Sequence, residues 1–430
     1  MLLVLRKHFL RLTAAACLVV LTFCYSSMMY NIYADRMSQY IQSRLVLRDV
    51  DVIPELLKSP CSPESNISEQ SLEPESREFL VTQLTASLHT HLEDARSTEN
   101  LPLDFKSCAK HNITNYDDSC TPNKSKCLKH NIPLALDKRI ESLLDMELPD
   151  SHLEALASMR NQLTSKQEVL IIHALSSNHF NETQKMLQNL HEVVFPVLKN
   201  FTLVIYDVGL EPGQVQLLKK HCRCTVFTFP FHKFPAYFRT MKCFAWKMFT
   251  ISAHYTQADV LMWLDASIVT RNVSALLTMI ERVKTRGIQL RCNNKARPPN
   301  PHYTLPQMFE AFGDSPCAHF DFRQCETTWA LFHNEPLIEW AIIRPWLSCA
   351  ANEKCICPVN QTLVQYCGQA PPNTLGNCMR ADQSALSLVM AKLFREKYEH
   401  FVLNTNSFLD THRGQKGSYF ADIERQKAKT

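Results

Sequence analysis

The stretch "ADVLMWLDASIVT", residues 258–270, sets one carboxylate, Asp265, at the end of a continuous apolar run, with Ala266 and the hydroxyl of Ser267 directly after it. A short apolar run of this kind reads as a strand covered on both faces. Such a strand would hold Asp265 rigidly at its carboxyl end. Position alone leaves two readings open, a carboxylate presented to a ligand or a turn former, since Asp and Ser both favour turns.

Working outward, "EVLIIHAL" (168–175) is a second run of the same type. It is followed by "NETQKMLQNLHEVVFPVL", where Met186, Leu187, Leu190, Val193 and Val194 recur at helical spacing. "FTLVIYDVG" (201–209) predicts a strand, "EPGQVQLLKKH" a helix with Pro212 near its start, and "CTVFTFPF" another strand. "TMKCFAWKMFTISAHY" (240–255) predicts a helix leading into the opening strand. Strands alternating with helices imply an α/β fold with a mainly parallel sheet. Ligands bind such sheets beyond the carboxyl ends of the strands, where Asp265 is placed.

The amino terminus fixes the expected compartment. In "MLLVLRKHFLRLTAAACLVVLTFCYSSMMYNIY", Arg6, Lys7, His8 and Arg11 precede an apolar stretch of roughly 20 residues, about enough to cross a bilayer core. Apolar character continues through Met28, Met29, Tyr30 and Tyr33, which favours an uncleaved signal anchor over a cleaved signal peptide. Flanking positive charge stays in the cytosol. The expectation is a single-pass type II protein of the Golgi or endoplasmic reticulum membrane: a cytoplasmic tail over 1–11, an anchor over 12–33, a lumenal stem over 34–165 and a catalytic domain over 166–430. The stem holds the charge-rich "SPCSPESNISEQSLEPESREF" and helical runs "DKRIESLLDMEL" and "HLEALASMRNQL".

Seven Asn-X-Ser/Thr sequons, at Asn66, Asn112, Asn123, Asn181, Asn200, Asn272 and Asn360, suit a glycosylated lumenal chain. Of 17 cysteines, Cys17 and Cys24 lie in the apolar segment, which leaves 15 for disulfides. The odd number leaves one thiol free or available for a disulfide-linked dimer. A formal charge of +4 over 430 residues, with no long basic run, carries no nucleic-acid footprint. Only 8 glycines are present, and none forms a phosphate-binding loop of the P-loop or dinucleotide type.

Against this background "WLDAS" resembles the place where glycosyltransferases of the A-type fold carry an Asp-x-Asp motif. There a carboxylate holds a divalent cation, usually manganese, against the diphosphate of a nucleotide sugar. Ser267 replaces the second aspartate, so other groups must complete the shell or metal is dispensable. The segments "FPAYFRTMKCFAWK", "VLMWLDAS", "WLSCAANEKCICP" and "CMRADQSALSLVMAKLF" are together similar to an uncharacterised family of single-pass animal membrane proteins, a domain of unknown function related to nucleotide-diphospho-sugar transferases. The resemblance covers about residues 167–415. It implies the A-type fold, a nucleotide sugar donor and a glycan or glycoprotein acceptor.

It also implies roles. Asp265 would hold metal or ribose, with His412 and Lys416, in "DTHRGQKGSYF", completing the metal shell and gripping the diphosphate. "HKFPAYFRTMKCFAWK" puts Arg239, Lys242 and Lys247 around a helix start; Arg239 and Lys242 would receive the diphosphate, with Ser267 beside them and Trp246 packing either the helix or a base. Asp382, opening "DQSALSLVMAKLF", and Glu326, opening "ETTWALFHN", are the candidate reacting-end carboxylates, with Asp321 as a less clearly placed alternative to Glu326. Each has a plainer reading: a helix-terminal or surface acid, a solvated basic face, a core tryptophan, an exposed histidine. Cys349, Cys355, Cys357, Cys367 and Cys378 are expected in disulfides that pin an acceptor-side loop. The rival function is a catalytically silent relative that binds glycans or scaffolds lumenal enzymes.

Overall fold

The structure, a computed structural model, describes residues 77–96, 135–146, 148–291, 299–319, 322–358, 367, 378–403 and 409–429. The chain divides into two compact units, Met1–Leu80 and Val81–Thr430, and the architecture from Val81 onward belongs to the second. The anchor segment, Asn66, Asn112, Asn123, Asn360 and Asp321 lie outside the described residues. Among the described residues no helix is long and apolar enough to cross a membrane.

A seven-stranded mixed sheet forms the centre. Its strands are β1 (Gln167–Leu175), β2 (Phe201–Asp207), β3 (Thr225–Thr228), β4 (Ala258–Leu264), β6 (Ile288–Arg291), β7 (Glu326–His333) and β8 (Val402–Leu403), in spatial order β3-β2-β1-β4-β7-β6-β8. β3, β2, β1 and β4 run parallel, as their strand–helix alternation predicts. β7 enters antiparallel to both β4 and β6, a reversal the sequence pattern does not signal. A small second sheet pairs β5 (Ile268–Thr270) with β9 (Leu409–Thr411).

The continuous apolar runs follow from burial of both sheet faces. Val169, Ile171, Leu203, Ile205, Val260, Met262, Trp329 and Leu331 form one face. It packs on helices α2 (Phe180–Asn189), α3 (Pro212–His221) and α5 (Val273–Arg286). Leu170, Ile172, Val204, Leu261, Trp263 and Phe332 alternate with these and are equally buried. Helices α4 (Ala245–His254) and α6 (Ala381–Phe394) cover that second face. α5 is capped by the Asn272 side chain, which accepts from the Ala275 N–H at 3.1 Å, and ends at Gly287 with φ +75°.

Within the segment expected as stem, α1 (Asp150–Arg160) is a helix that packs against α4. Its His152 ring lies 5.5 Å from Phe249, and the Arg160 Nε donates to the Ala253 carbonyl at 3.4 Å. His91, further upstream, meets Glu335 at 2.8 Å. The helix expected over 240–255 begins only at Ala245, because Phe244 adopts φ +53° and breaks it from the short 3-10 turns before it. A Cys243–Cys357 disulfide ties down the residue next to that break.

Candidate active site

Strand order locates the site. The chain builds outward from β1 to β2 and β3, then returns to the other side of β1 as β4. Ligands of open α/β sheets lie beyond the carboxyl ends of the strands at such a reversal. Asp265 follows Leu264 at that position, and its N–H donates to the Thr328 carbonyl at 2.8 Å, extending the β4–β7 pairing by one residue. Its side chain is 34% exposed, so a ligand can reach it.

The alternation that buries the strand also aims this carboxylate. Trp263 and Asp265 are two residues apart and share a face, the one covered by α4. The Trp263 Nε1–H donates to Asp265 Oδ1 at 2.7 Å. From α4, Lys247 reaches the same oxygen at 3.3 Å. The Lys247 ammonium also contacts Asp382 at 2.9 Å, donates to the Thr327 carbonyl at 2.7 Å and to its hydroxyl at 3.2 Å, and stands 4.7 Å from the Trp263 ring centre. The Thr327 hydroxyl in turn donates to Asp382. Burial pushes the Asp265 carboxyl above its usual range; Asp382 adds to this, and Lys247 and the Trp263 N–H oppose it. Beneath Asp265, buried His173 holds the Leu264 carbonyl at 2.8 Å, and burial lowers its pKa to about 4.

The carboxyl-terminal segment folds back over this edge. β9 pairs with β5, and the His412 N–H donates to the Ser267 carbonyl at 2.7 Å, bringing the two expected ligands together through backbone. The Gly414 N–H donates to Glu182 at 2.9 Å. At Gly417 the segment crosses α2 so closely that a Cβ would sit 2.8 Å from the Lys185 backbone nitrogen. Helix α7 (Tyr419–Lys427) then buries Phe420 in the core.

The structure sorts the other predicted residues. Ser267 and Trp246 are buried at the edge, Trp246 with its ring 6.3 Å from Trp263 and its N–H unpartnered among the described residues. Arg239 and Lys242 are exposed on the 3-10 turns before α4, Arg239 lying 5.3 Å over Phe231. His412 is half-buried, with Nε2 3.8 Å from Asp410, and Lys416 is exposed. Glu326 and Asp382, the expected reacting-end carboxylates, are each 4% exposed. Glu326 accepts from Thr328 at 3.2 Å and lies 3.6 Å from Arg291. Asp382 contacts Lys247 at 2.9 Å and accepts from the Thr327 hydroxyl. Asn181, Asn200 and Asn272 are all exposed, as glycan acceptors must be.

Lys247 is the residue the sequence reading named but gave no role. Its signal was a single cation inside "AWKMFTISA", an apolar helix, which demands buried carboxylate partners. Among the described residues, cysteines pair as Cys222–Cys224, Cys243–Cys357, Cys349–Cys355 and Cys367–Cys378. Cys325 is in no disulfide among the described residues; it is buried, with its Sγ 2.6 Å from the Tyr398 hydroxyl.

The residues present do not assemble the divalent cation shell that the Asp-x-Asp resemblance implies. Asp265 Oδ1 is already engaged by two N–H donors, Ser267 stands at the second motif position, and the nearest cationic group is an ammonium. Among the described residues no three His, Cys, Asp or Glu side chains gather as ligands.

Residues 126–252 match DUF1647, a family described as a protein of unknown function. The match takes in Arg239, Lys242, Trp246 and Lys247 and stops short of β4. Solved structures similar to this chain include the WbbM bifunctional glycosyltransferase in apo form, at 10% identity and TM-score 0.35 over 62% of this chain and 45% of that one. They also include the galactosyltransferase LgtC with donor and acceptor sugar analogues, at 10% identity and TM-score 0.30 over 54% and 72%. A third is mouse xyloside xylosyltransferase 1 in apo form, at 12% identity and TM-score 0.30 over 56% and 85%. The chain thus spans less than half the length of WbbM. No curated protein matches it.

Proposed function

We propose that the protein is a glycosyltransferase that takes a sugar from a nucleotide-diphosphate donor and passes it to a hydroxyl of a glycan or glycoprotein. The observation that carries this reading is the half-exposed Asp265 at the reversal of strand order, with Ser267 and His412 joined beside it by the returning carboxyl-terminal segment. Asp265 Oδ2, which has no partner among the described residues, accepts a hydroxyl of the ribose or of the donor sugar. Arg239, Lys242, His412 and Lys416 supply positive charge for the diphosphate.

The four disulfides among the described residues and the exposed sequons support an oxidising lumen, and the apolar segment over 12–33 supports a type II anchor in the Golgi or endoplasmic reticulum membrane. Release of nucleoside diphosphate from a panel of nucleotide sugars tests the reading. Turnover of at least one donor, abolished by Asp265→Asn, is expected; a panel with no turnover refutes it. The burial of Glu326 and Asp382 favours a second reading, a protein that binds such ligands without turning them over. It predicts donor binding with no release of diphosphate.

A further inference from the structure

We propose that Lys247 is the resident cation of this site: its ammonium fills the four-oxygen position that a divalent ion would need, and ligand binding at Asp265 is independent of metal. The inference rests on the reading that this edge receives a nucleotide sugar, and it departs from the metal-assisted chemistry that the Asp-x-Asp resemblance implies. Asp265 Oδ1, Asp382, the Thr327 carbonyl and the Thr327 hydroxyl surround Nζ at 3.3, 2.9, 2.7 and 3.2 Å. Those are ammonium hydrogen-bond lengths; hard divalent ions sit about 2.0–2.6 Å from oxygen.

The position is built for a cation. Two carboxylates come from different elements, β4's end and α6's first turn, and Thr327 comes from β7. Lys247 is 2% exposed, and its ammonium also lies over the Trp263 ring, so it has no route to solvent that would free the position for an ion. A divalent ion bound at Asp265 would have to displace a buried, fully coordinated ammonium or sit beside it. The acidic residue missing at Ser267 is thereby accounted for: the charge is balanced from α4, and a second motif carboxylate has nothing to hold. The ligand's diphosphate then depends on the exposed cations Arg239, Lys242 and Lys416.

Manganese binding by the full-length chain, followed by the paramagnetic resonance of free Mn2+ without any nucleotide, tests this. Wild type is expected to leave Mn2+ free at millimolar concentration. Lys247→Gln should gain an Mn2+ site at least an order of magnitude tighter than wild type, because two carboxylates and the Thr327 oxygens are left without their cation. Stoichiometric Mn2+ binding by wild type that Asp265→Asn abolishes overturns the proposal, whether or not Lys247→Gln folds. A folded Lys247→Gln that gains no Mn2+ overturns it as well. In a second arm, melting of the wild-type chain is followed with nucleotide sugars in manganese and in chelator. Equal shifts in both support the proposal, and a shift that needs manganese contradicts it. If no donor shifts the chain in either, the functional reading fails while the Mn2+ arm still decides the role of Lys247.

Discussion

Helix α6 carries a buried ion cluster at each end, and the two behave oppositely. At its start Asp382 meets Lys247, which also contacts Asp265; near its end Lys392 meets Asp314 at 3.0 Å, with His319 3.0 Å away on the other carboxylate oxygen. Burial raises the Asp314 carboxyl, but His319 and Lys392 outweigh it and hold it below its ordinary value. Burial raises Asp265 too, but there Lys247 and the Trp263 N–H do not outweigh it, and Asp382 adds to the rise. The Asp314 cluster is closed, with side-chain exposures of 8%, 3% and 0%, whereas Asp265 is 34% open. A carboxylate with donors on both oxygens is structural; one left under-compensated at an open edge has capacity for a ligand.

Removing the lysine strains this contrast most. Lys392→Met and Lys247→Met each strand a buried carboxylate, and each is expected to lose about 3–5 kcal/mol of stability in chemical unfolding. A loss near zero for either would show that its lysine does not hold a buried carboxylate as described. Next comes His173, buried beneath Asp265. Its pKa falls from 6.5 to about 4, so the folded state resists protonation that the unfolded chain accepts. Stability is therefore full above pH 6.5 and is lost as pH falls toward 4, by about 3 kcal/mol over that window. Unfolding of His173→Gln across this range should be flatter than wild type; parallel curves would contradict the buried neutral imidazole.

The two aspartates should separate by sign. Asp314, depressed, contributes stability that disappears as pH drops below 3.8, so Asp314→Asn weakens acid dependence there. Asp265, raised, favours its protonated form in the fold, so its contribution is present at acid pH and declines as pH climbs above 3.8. Differences of wild type against Asp314→Asn and Asp265→Asn, plotted against pH, are expected to slope in opposite directions. Slopes of one sign would erase the distinction between the clusters. The smallest stability effects belong to the exposed cations. Arg239→Ala and Lys242→Ala should alter stability by no more than about 0.5 kcal/mol while weakening nucleotide-sugar affinity in titration calorimetry. Unchanged affinity would remove them from the site.

The parallel half of the sheet was legible because β1, β2 and β4 are buried on both faces and so read as unbroken apolar runs. Asp265 was legible because it ends such a run. The antiparallel entry of β7 was not: "ETTWALFH" has a strand's composition, but nothing in it records direction. Glu326 and Asp382 were placed correctly at element starts, yet their burial depends on Arg291 and Lys247 reaching across from other elements, which spacing cannot show. Lys247 was visible only as a cation out of place in an apolar helix, and its partners lie 18 and 135 positions along the chain. The packing of Asp150–Arg160 was hidden by the charge-rich sequence before it.

The most direct measurement is the melting temperature of wild type and Asp265→Asn against a panel of nucleotide sugars. One donor should raise the wild-type melting point by several degrees, since a ligand bound only by the folded state stabilises it, and Asp265→Asn should keep its own melting point near wild type while showing no shift. No shift of wild type with any donor, or an equal shift in Asp265→Asn, would contradict a ligand site built on that carboxylate.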